Sequence, residues 1–312
     1  MQARSMLFTL YGDYVRHYGS TIWIGSLIAL MAELGCTPPA VRAAVSRMTR
    51  QGWLAASRSG RSSYYALSAR GQARIDEAAQ RIFKLHPERW DGRWRILTVA
   101  ASERDRKRRD RLRRELAWMG FAALSRGVYL TPTDLFDRTA SLAERYGLTG
   151  RCEMFTADHD GPTPDARLAA RCWDLRAIDA AYAEFVAEWR PRLDRHRARA
   201  AGGAAAPGAE TPAPPGGEGP TDATCFVEKT RLVHAFRKFL FIDPGLPQDL
   251  LPERWTGTEA RGVFSTYYHL LTEGALRFFE RHYRPAPGHE GDLPRGRQAA
   301  RRDPFRPPLP VV

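Results

Sequence analysis

Six residues near the N-terminus carry the clearest chemistry in the sequence: Arg42, Ser46, Arg47, Arg50, Arg58 and Arg61. A guanidinium is a planar fork of donors that fits a phosphate, or the O6 and N7 edge of guanine in the major groove of DNA. Residues 37–67 hold five arginines and no Asp or Glu, in a chain with 35 acidic residues. Like charges with no acid between them repel, so the natural counter-charge for this stretch is a polyanion supplied from outside. The whole chain carries a net charge of +13 and a pI near 10.0, which points the same way. Only four of its 48 basic residues are Lys, however, and an Arg-rich coding bias alone produces such an excess. The local distribution therefore decides.

The elements that must position these groups follow from spacing. Val41, Ala44, Val45 and Met48 recur at helical intervals and face inward, which leaves Arg42, Ala43, Ser46, Arg47 and Arg50 outward. Thr37 is suited to cap that helix, with Pro38 at its first position, where no amide donor is needed. Two amphipathic helices, around 3–18 and 27–34, precede it. Strands at 53–58 and 62–67 follow, joined at Ser59-Gly60-Arg61, and a helix capped by Ser68 runs to about Leu85. Helix, short strand, helix, helix, hairpin, helix is the order of a winged helix-turn-helix over residues 1–86. Arg42, Ser46 and Arg47 are then placed for base edges and Arg50 for phosphate. Arg58 and Arg61 flank the wing tip, where phosphate or minor groove is in reach.

The fold class expected is α+β in three domains. Residues 90–172 read as βαββαβ, the ferredoxin-like split arrangement. Residues 173–284 read as helical, with one long helix to about Arg199, further helices at 226–242 and 258–283, and a disordered insert at 200–222. That insert is too poor in large apolar side chains to pack. The Pro- and Arg-rich residues 285–312 read as a disordered tail.

Other chemistry finds little footing. The four cysteines, Cys36, Cys152, Cys172 and Cys225, form no CxxC pair, and Asp158-His159-Asp160 offers a single His, which reads as a polar turn. His234 and His269 lie on apolar helices. The sequence contains no P-loop, no GxGxxG after a strand and no GxSxG. We therefore expect no catalytic residue, no metal and no cofactor. No apolar run is long enough to span a membrane and no secretory signal opens the chain, so the expected location is the cytoplasm.

The stretches SMLFTLYGDYVRHYG, IWIGSLIALMAELG, VRAAVSRMTRQGWL and GRSSYYALSARG closely resemble the PaaX family of phenylacetic acid operon repressors. The resemblance continues through WDGRWRIL, RRELAWMGF and TRLVHAFRKFLFIDPGLPQDLLPERW, and passes over the 200–222 insert and the tail. It implies a homodimeric repressor that binds operator double-stranded DNA at phenylacetate catabolism genes and is released by phenylacetyl-CoA. An acyl-CoA needs cations for its phosphates and rings for its adenine and acyl group. Arg231, His234, Arg237 and Lys238, with Trp255, Tyr267 and Tyr268, are the candidates for that role. Two alternatives remain open at this level: a metal-dependent nuclease built on the ferredoxin-like domain, and a ligand-independent DNA-binding protein. The first is disfavoured because related nucleases place an Asp at the end of the first strand, where this chain has Val99-Ala100-Ala101-Ser102.

Overall fold

A computed structural model describes residues 3–83, 90–100, 106–202, 220–288 and 292–305. It is a mixed α and β structure with two small antiparallel sheets. Its contacts divide the chain into two compact units. One comprises Met1–Phe83, Glu184–Arg237 and Glu259–Val312, and the other Lys84–Ala183 and Lys238–Thr258. These units cut across the domain boundaries expected from sequence, because two long helices contribute to both.

The first unit opens with α1 (Ala3–Asp13), β1 (Thr21–Trp23), α2 (Ile24–Glu33), α3 (Pro38–Arg50), β2 (Leu54–Ser59), β3 (Ser62–Leu67) and α4 (Ala69–Phe83). The sheet runs β1-β3-β2, with Thr21 opposite Ala66 and Leu54 opposite Leu67. Gly35 at φ +80° ends α2 and lets the chain turn directly into α3. Ser68 Oγ accepts the Gly71 amide at 3.0 Å, the cap expected for α4. A Cβ at Gly71 would sit 2.4 Å from the Trp53 carbonyl oxygen, so only glycine allows that approach.

The rest of this unit is helical: the later part of α8 (Leu175–Gly202), α9 (Asp222–Phe236), most of α10 (Thr256–His282) and α11 (Asp292–Arg301). Thr221 caps α9 through the Thr224 amide at 3.2 Å. These helices clasp α1. Lys229 Nζ lies 2.6 Å from Asp13 Oδ2, both side chains are at most 2% exposed, and Tyr268 Oη donates to Asp13 Oδ1 at 2.8 Å. The Lys229 ammonium also rests 4.5 Å from the Tyr14 ring centre and 4.1 Å from that of Tyr268. Tyr14 and Tyr18 pack on Phe279 at 5.1 and 5.2 Å, and the Tyr283 hydroxyl donates to the Thr21 carbonyl at 2.6 Å.

Two sequence expectations meet this part of the chain. Within the insert, α8 extends to Gly202 and α9 begins at Asp222, and 203–219 lie outside the described residues. The tail expected to be disordered departs from that reading: it carries α11, and Phe305 is buried among rings of α4 and α10. Composition missed this because one aromatic is enough to fix a short segment when a site for it exists.

His17 closes the turn after α1, where burial and the adjacent Arg16 push its imidazole from the ordinary 6.5 down to about 4, and Lys229 adds to this. Asp13 and Asp76 oppose the shift. The native state keeps this ring neutral while the unfolded chain takes up a proton near the ordinary value. This contribution to stability is thus present above pH 6.5 and lost as pH falls towards 4. Urea denaturation at pH 7 and pH 5 is expected to show that loss in the native protein and a smaller one in His17→Gln.

The second unit holds β4 (Trp94–Val99), α5 (Arg106–Met119), β5 (Ala122–Ser125), β6 (Val128–Thr131), α6 (Phe136–Arg145), β7 (Cys152–Ala157) and α7 (Asp165–Cys172). The sheet order is β5-β6-β4-β7, every neighbour antiparallel. Leu97, Val99 and Tyr129 from one sheet face pack with Leu112 and Leu116 of α5 and Leu142 of α6. The start of α8 joins this unit through Tyr182, whose ring stacks 3.9 Å from Phe239.

Candidate nucleic-acid interface

The residues of α3 divide as their spacing predicts. Val41, Ala44, Val45 and Met48 are at most 1% exposed, whereas Arg42, Ser46, Arg47 and Arg50 are exposed. Pro38 occupies the first turn, and Thr37 has extended backbone but makes no side-chain cap bond. Met48 anchors the far end: its carbonyl accepts the Trp53 amide at 2.9 Å, with Gly52 at φ +71° reversing the chain. Phe8 of α1 meets the Trp53 ring edge-on at 5.5 Å. The outward arginines are therefore carried on a helix fixed along its whole inner face.

The hairpin that follows is unusually open. Every residue of β2 after Leu54 is exposed. Ser59 pairs with Ser62, which leaves Gly60 and Arg61 as a two-residue turn, one residue tighter than expected. Gly60 has φ +55°, a left-handed conformation that glycine supplies without strain in so tight a reversal. Arg58 and Arg61 are exposed at this tip. Tyr11 of α1 ties the hairpin base down, its hydroxyl donating to the Tyr65 carbonyl at 3.1 Å. Among the described residues none of Arg42, Arg47, Arg50, Arg58 and Arg61 is paired with a carboxylate. Five uncompensated guanidinium groups on one helix face and one hairpin tip can bind phosphates and read guanine edges.

Three consecutive segments match models of one family. Residues 2–71 match the PaaX-like protein, 87–169 the PaaX protein central Cas2-like domain, and 212–281 the PaaX-like protein C-terminal domain. The transcriptional repressor PaaX of Escherichia coli (strain K12) is 30% identical over 277 residues, covering 88% of this chain and 82% of the relative. This chain belongs to the PaaX family. A solved structure, the uncharacterized protein Rv0674 from Mycobacterium tuberculosis, is 27% identical, with 81% of this chain and 89% of that one covered and a TM-score of 0.45.

In this PaaX-family chain the acid-free stretch runs further than 37–67. It continues from Leu34 to Ile75 and includes Arg70 and Arg74. Arg74 pairs with Glu77 at 3.1 Å, but Arg70 is exposed and lies 4.4 Å over the Trp53 ring, beside the junction of α3 and the hairpin. The sequence reading missed Arg70 as a contact candidate, although the lack of acid around it was the available signal.

The residues named for an acyl-CoA are distributed otherwise. Arg237 donates to Ser5 Oγ at 2.5 Å, and burial lowers its pKa. His234 Nδ1 lies 3.1 Å from Thr9 Oγ1, so both residues face α1. Arg231 has a buried Nε without a hydrogen-bond partner among the described residues. Tyr267 is 3% exposed and donates to Glu228 at 3.3 Å. Lys238 and Trp255 belong to the second unit, where the Trp255 ring meets Tyr182 at 5.8 Å. Tyr268, 4% exposed, donates to Asp13 in the first unit, so the seven are divided between the two units.

In the second unit His159 Nδ1 lies 3.1 Å from Asp165 Oδ1, which also accepts the Trp94 indole N–H at 2.7 Å, while Asp158 pairs with Arg93 at 3.6 Å. Among the described residues no group of three or more His, Cys, Asp or Glu is placed to hold a metal ion. At the end of β4, Val99 and Ala100 are described, and Ala101 and Ser102 lie outside the described residues. No helix among the described residues is long and apolar enough to cross a membrane.

Proposed function

We propose that this chain is a cytoplasmic, DNA-binding transcriptional repressor of aromatic-acid catabolism genes of the phenylacetate type, released from its operator by an acyl-CoA such as phenylacetyl-CoA. The observation that carries this reading is the set of exposed, unpaired arginines on α3 and the β2–β3 hairpin, in a chain of the PaaX family. On this reading α2 and α3 act as the helix-turn-helix, α3 enters the major groove, and the hairpin is the wing. The strand order β5-β6-β4-β7, with α5 and α6 packed on one face, supports a ferredoxin-like middle domain. One winged helix covers a half-site, so specific binding calls for a homodimer on an inverted repeat.

Fluorescence anisotropy with an operator fragment and a scrambled duplex, across a salt series, tests the proposal. The chain is expected to prefer the operator and to lose affinity steeply with salt. Arg61→Ala is expected to weaken both duplexes and to lower the slope of log K against log salt by ~0.9, one phosphate contact. Equal affinity for the two duplexes, or no salt dependence, would remove the proposal. Effector release is tested by adding phenylacetyl-CoA: operator affinity should fall, and by reciprocity operator should weaken phenylacetyl-CoA binding by the same factor.

A further inference from the structure

The C-terminal segment places a phenyl ring inside a cage of other rings. Phe305, 8% exposed, meets Phe83 at 5.2 Å and 89°, Phe264 at 5.5 Å and 70°, and Tyr268 at 5.5 Å and 81°. His269 closes a fourth side at 5.1 Å. Edge-to-face contacts of this kind suit the quadrupole of a flat aromatic ring, and an aliphatic group of equal size cannot make them. The walls come from the end of α4 and from one stretch of α10, and they hold one another without Phe305. Phe83 lies 5.4 Å from Tyr268 and 6.0 Å from Phe264, which stacks on Phe236 at 4.1 Å and 2°.

The segment that delivers Phe305 is fastened by ion pairs at its surface and by one close backbone approach, Gly296 of α11 against His17 and Tyr18. Arg297 pairs with Glu280 at 3.2 Å, Arg301 with Glu273 at 3.3 Å, and Asp303 with His269 at 2.9 Å, each pair including a side chain more than a third exposed. Exposed pairs of this kind contribute little to stability. Phe305 is the one large apolar side chain buried within residues 295–305. The cage also touches the centre of its unit. Tyr268, one wall, donates to Asp13, the buried partner of Lys229 at the end of α1, and α1 packs against α3.

We propose that the cage is a binding site for an aryl group on a short flexible chain, that Phe305 is its resident stand-in, and that the ligand displaces Phe305 and frees the C-terminal segment. The ligand class is read from the present occupant, a phenyl ring on one methylene. The proposal deepens the effector-responsive reading above and rests on it. Displacement reaches α3 through Tyr268, Asp13 and α1. Because the tethered ring competes at an effective concentration of order mM, ligand affinity is reduced by the fraction of molecules with an open cage.

The test uses the full chain and four probes: phenylacetate, phenylacetyl-CoA, acetyl-CoA and cyclohexylacetate. Calorimetry on wild type and Phe305→Ala is expected to show roughly tenfold tighter binding of a phenyl probe to the variant, as removal of a competitor requires. No gain is expected for acetyl-CoA or cyclohexylacetate. Whichever phenyl probe gains identifies free acid or thioester as the source. A second readout needs no variant: the phenyl probe should speed tryptic cleavage of wild type after Arg301 or Arg302. Unchanged or weaker phenyl binding in a folded Phe305→Ala, or slower tail cleavage in wild type, overturns the proposal. Operator binding is measured on the same samples. Its absence strikes the repressor reading, whereas intact operator binding with no gain in Phe305→Ala strikes the cage alone.

Discussion

Lys229→Ala is expected to cost about 3–5 kcal/mol of folding stability, because it strands the Asp13 carboxylate in a dry interior. The ammonium and carboxylate lie 2.6 Å apart, with side chains 1% and 2% exposed. Burial pulls the Lys229 pKa down, and the adjacent Asp13 pulls it back towards its ordinary value, so each charge depends on the other to remain in place. After the substitution the Tyr268 hydroxyl is the one side-chain donor left to Asp13 among the described residues. The double variant Asp13→Leu with Lys229→Met is the control: it removes both charges and is expected to recover most of the loss, since an apolar replacement of a buried pair is often neutral. Urea midpoints at constant m-value measure both. A cost below about 1 kcal/mol for the single variant would mean that water reaches the pair.

The second large effect is on binding. Arg47→Ala is expected to weaken operator binding by about 1–3 kcal/mol, or roughly fivefold to 150-fold, with little change in binding to scrambled DNA. The side chain is exposed and has no carboxylate partner among the described residues, so its removal leaves the fold intact and the thermal midpoint nearly unchanged. Arg61→Ala, at the hairpin tip, provides the contrast, because a phosphate contact acts on every sequence alike. If Arg47→Ala binds operator as tightly as wild type, α3 is not the element that reads bases.

These contrasts follow how the sequence could be read. The two faces of α3 were legible because Val41, Ala44, Val45 and Met48 repeat with the helix itself, and acid-free stretches are visible without knowing any partner. The succession of strands and helices in the second unit was legible in the same way, but the pairing of β4 with β7, across α5, β5, β6 and α6, was not. The Asp13–Lys229 pair was not legible. Its members are 216 residues apart, and each alone looks like an ordinary charge on a helix. Nor does local spacing announce that His234 and Arg237 of the basic cluster bond Thr9 and Ser5 of α1, more than 200 residues away. Phe305 was hidden by its neighbours: a Pro- and Arg-rich stretch says nothing of a cage built by α4 and α10.

The clasp on α1 also fixes when the N-terminal segment can mature during synthesis. Asp13 leaves the ribosome long before its partner, and at ~5–20 residues per second the intervening chain takes roughly 10–40 s to make. Throughout that interval Tyr14 and Tyr18 lack the rings of Phe226, Phe279 and Tyr283 that cover them in the finished fold. A message cut short before α9 therefore yields a product with an uncovered aromatic face and a buried-type carboxylate left unpaired. Exposed apolar surface of this kind makes a partly folded chain prone to aggregation, so the first helices depend on the last ones for their solubility as well as their stability.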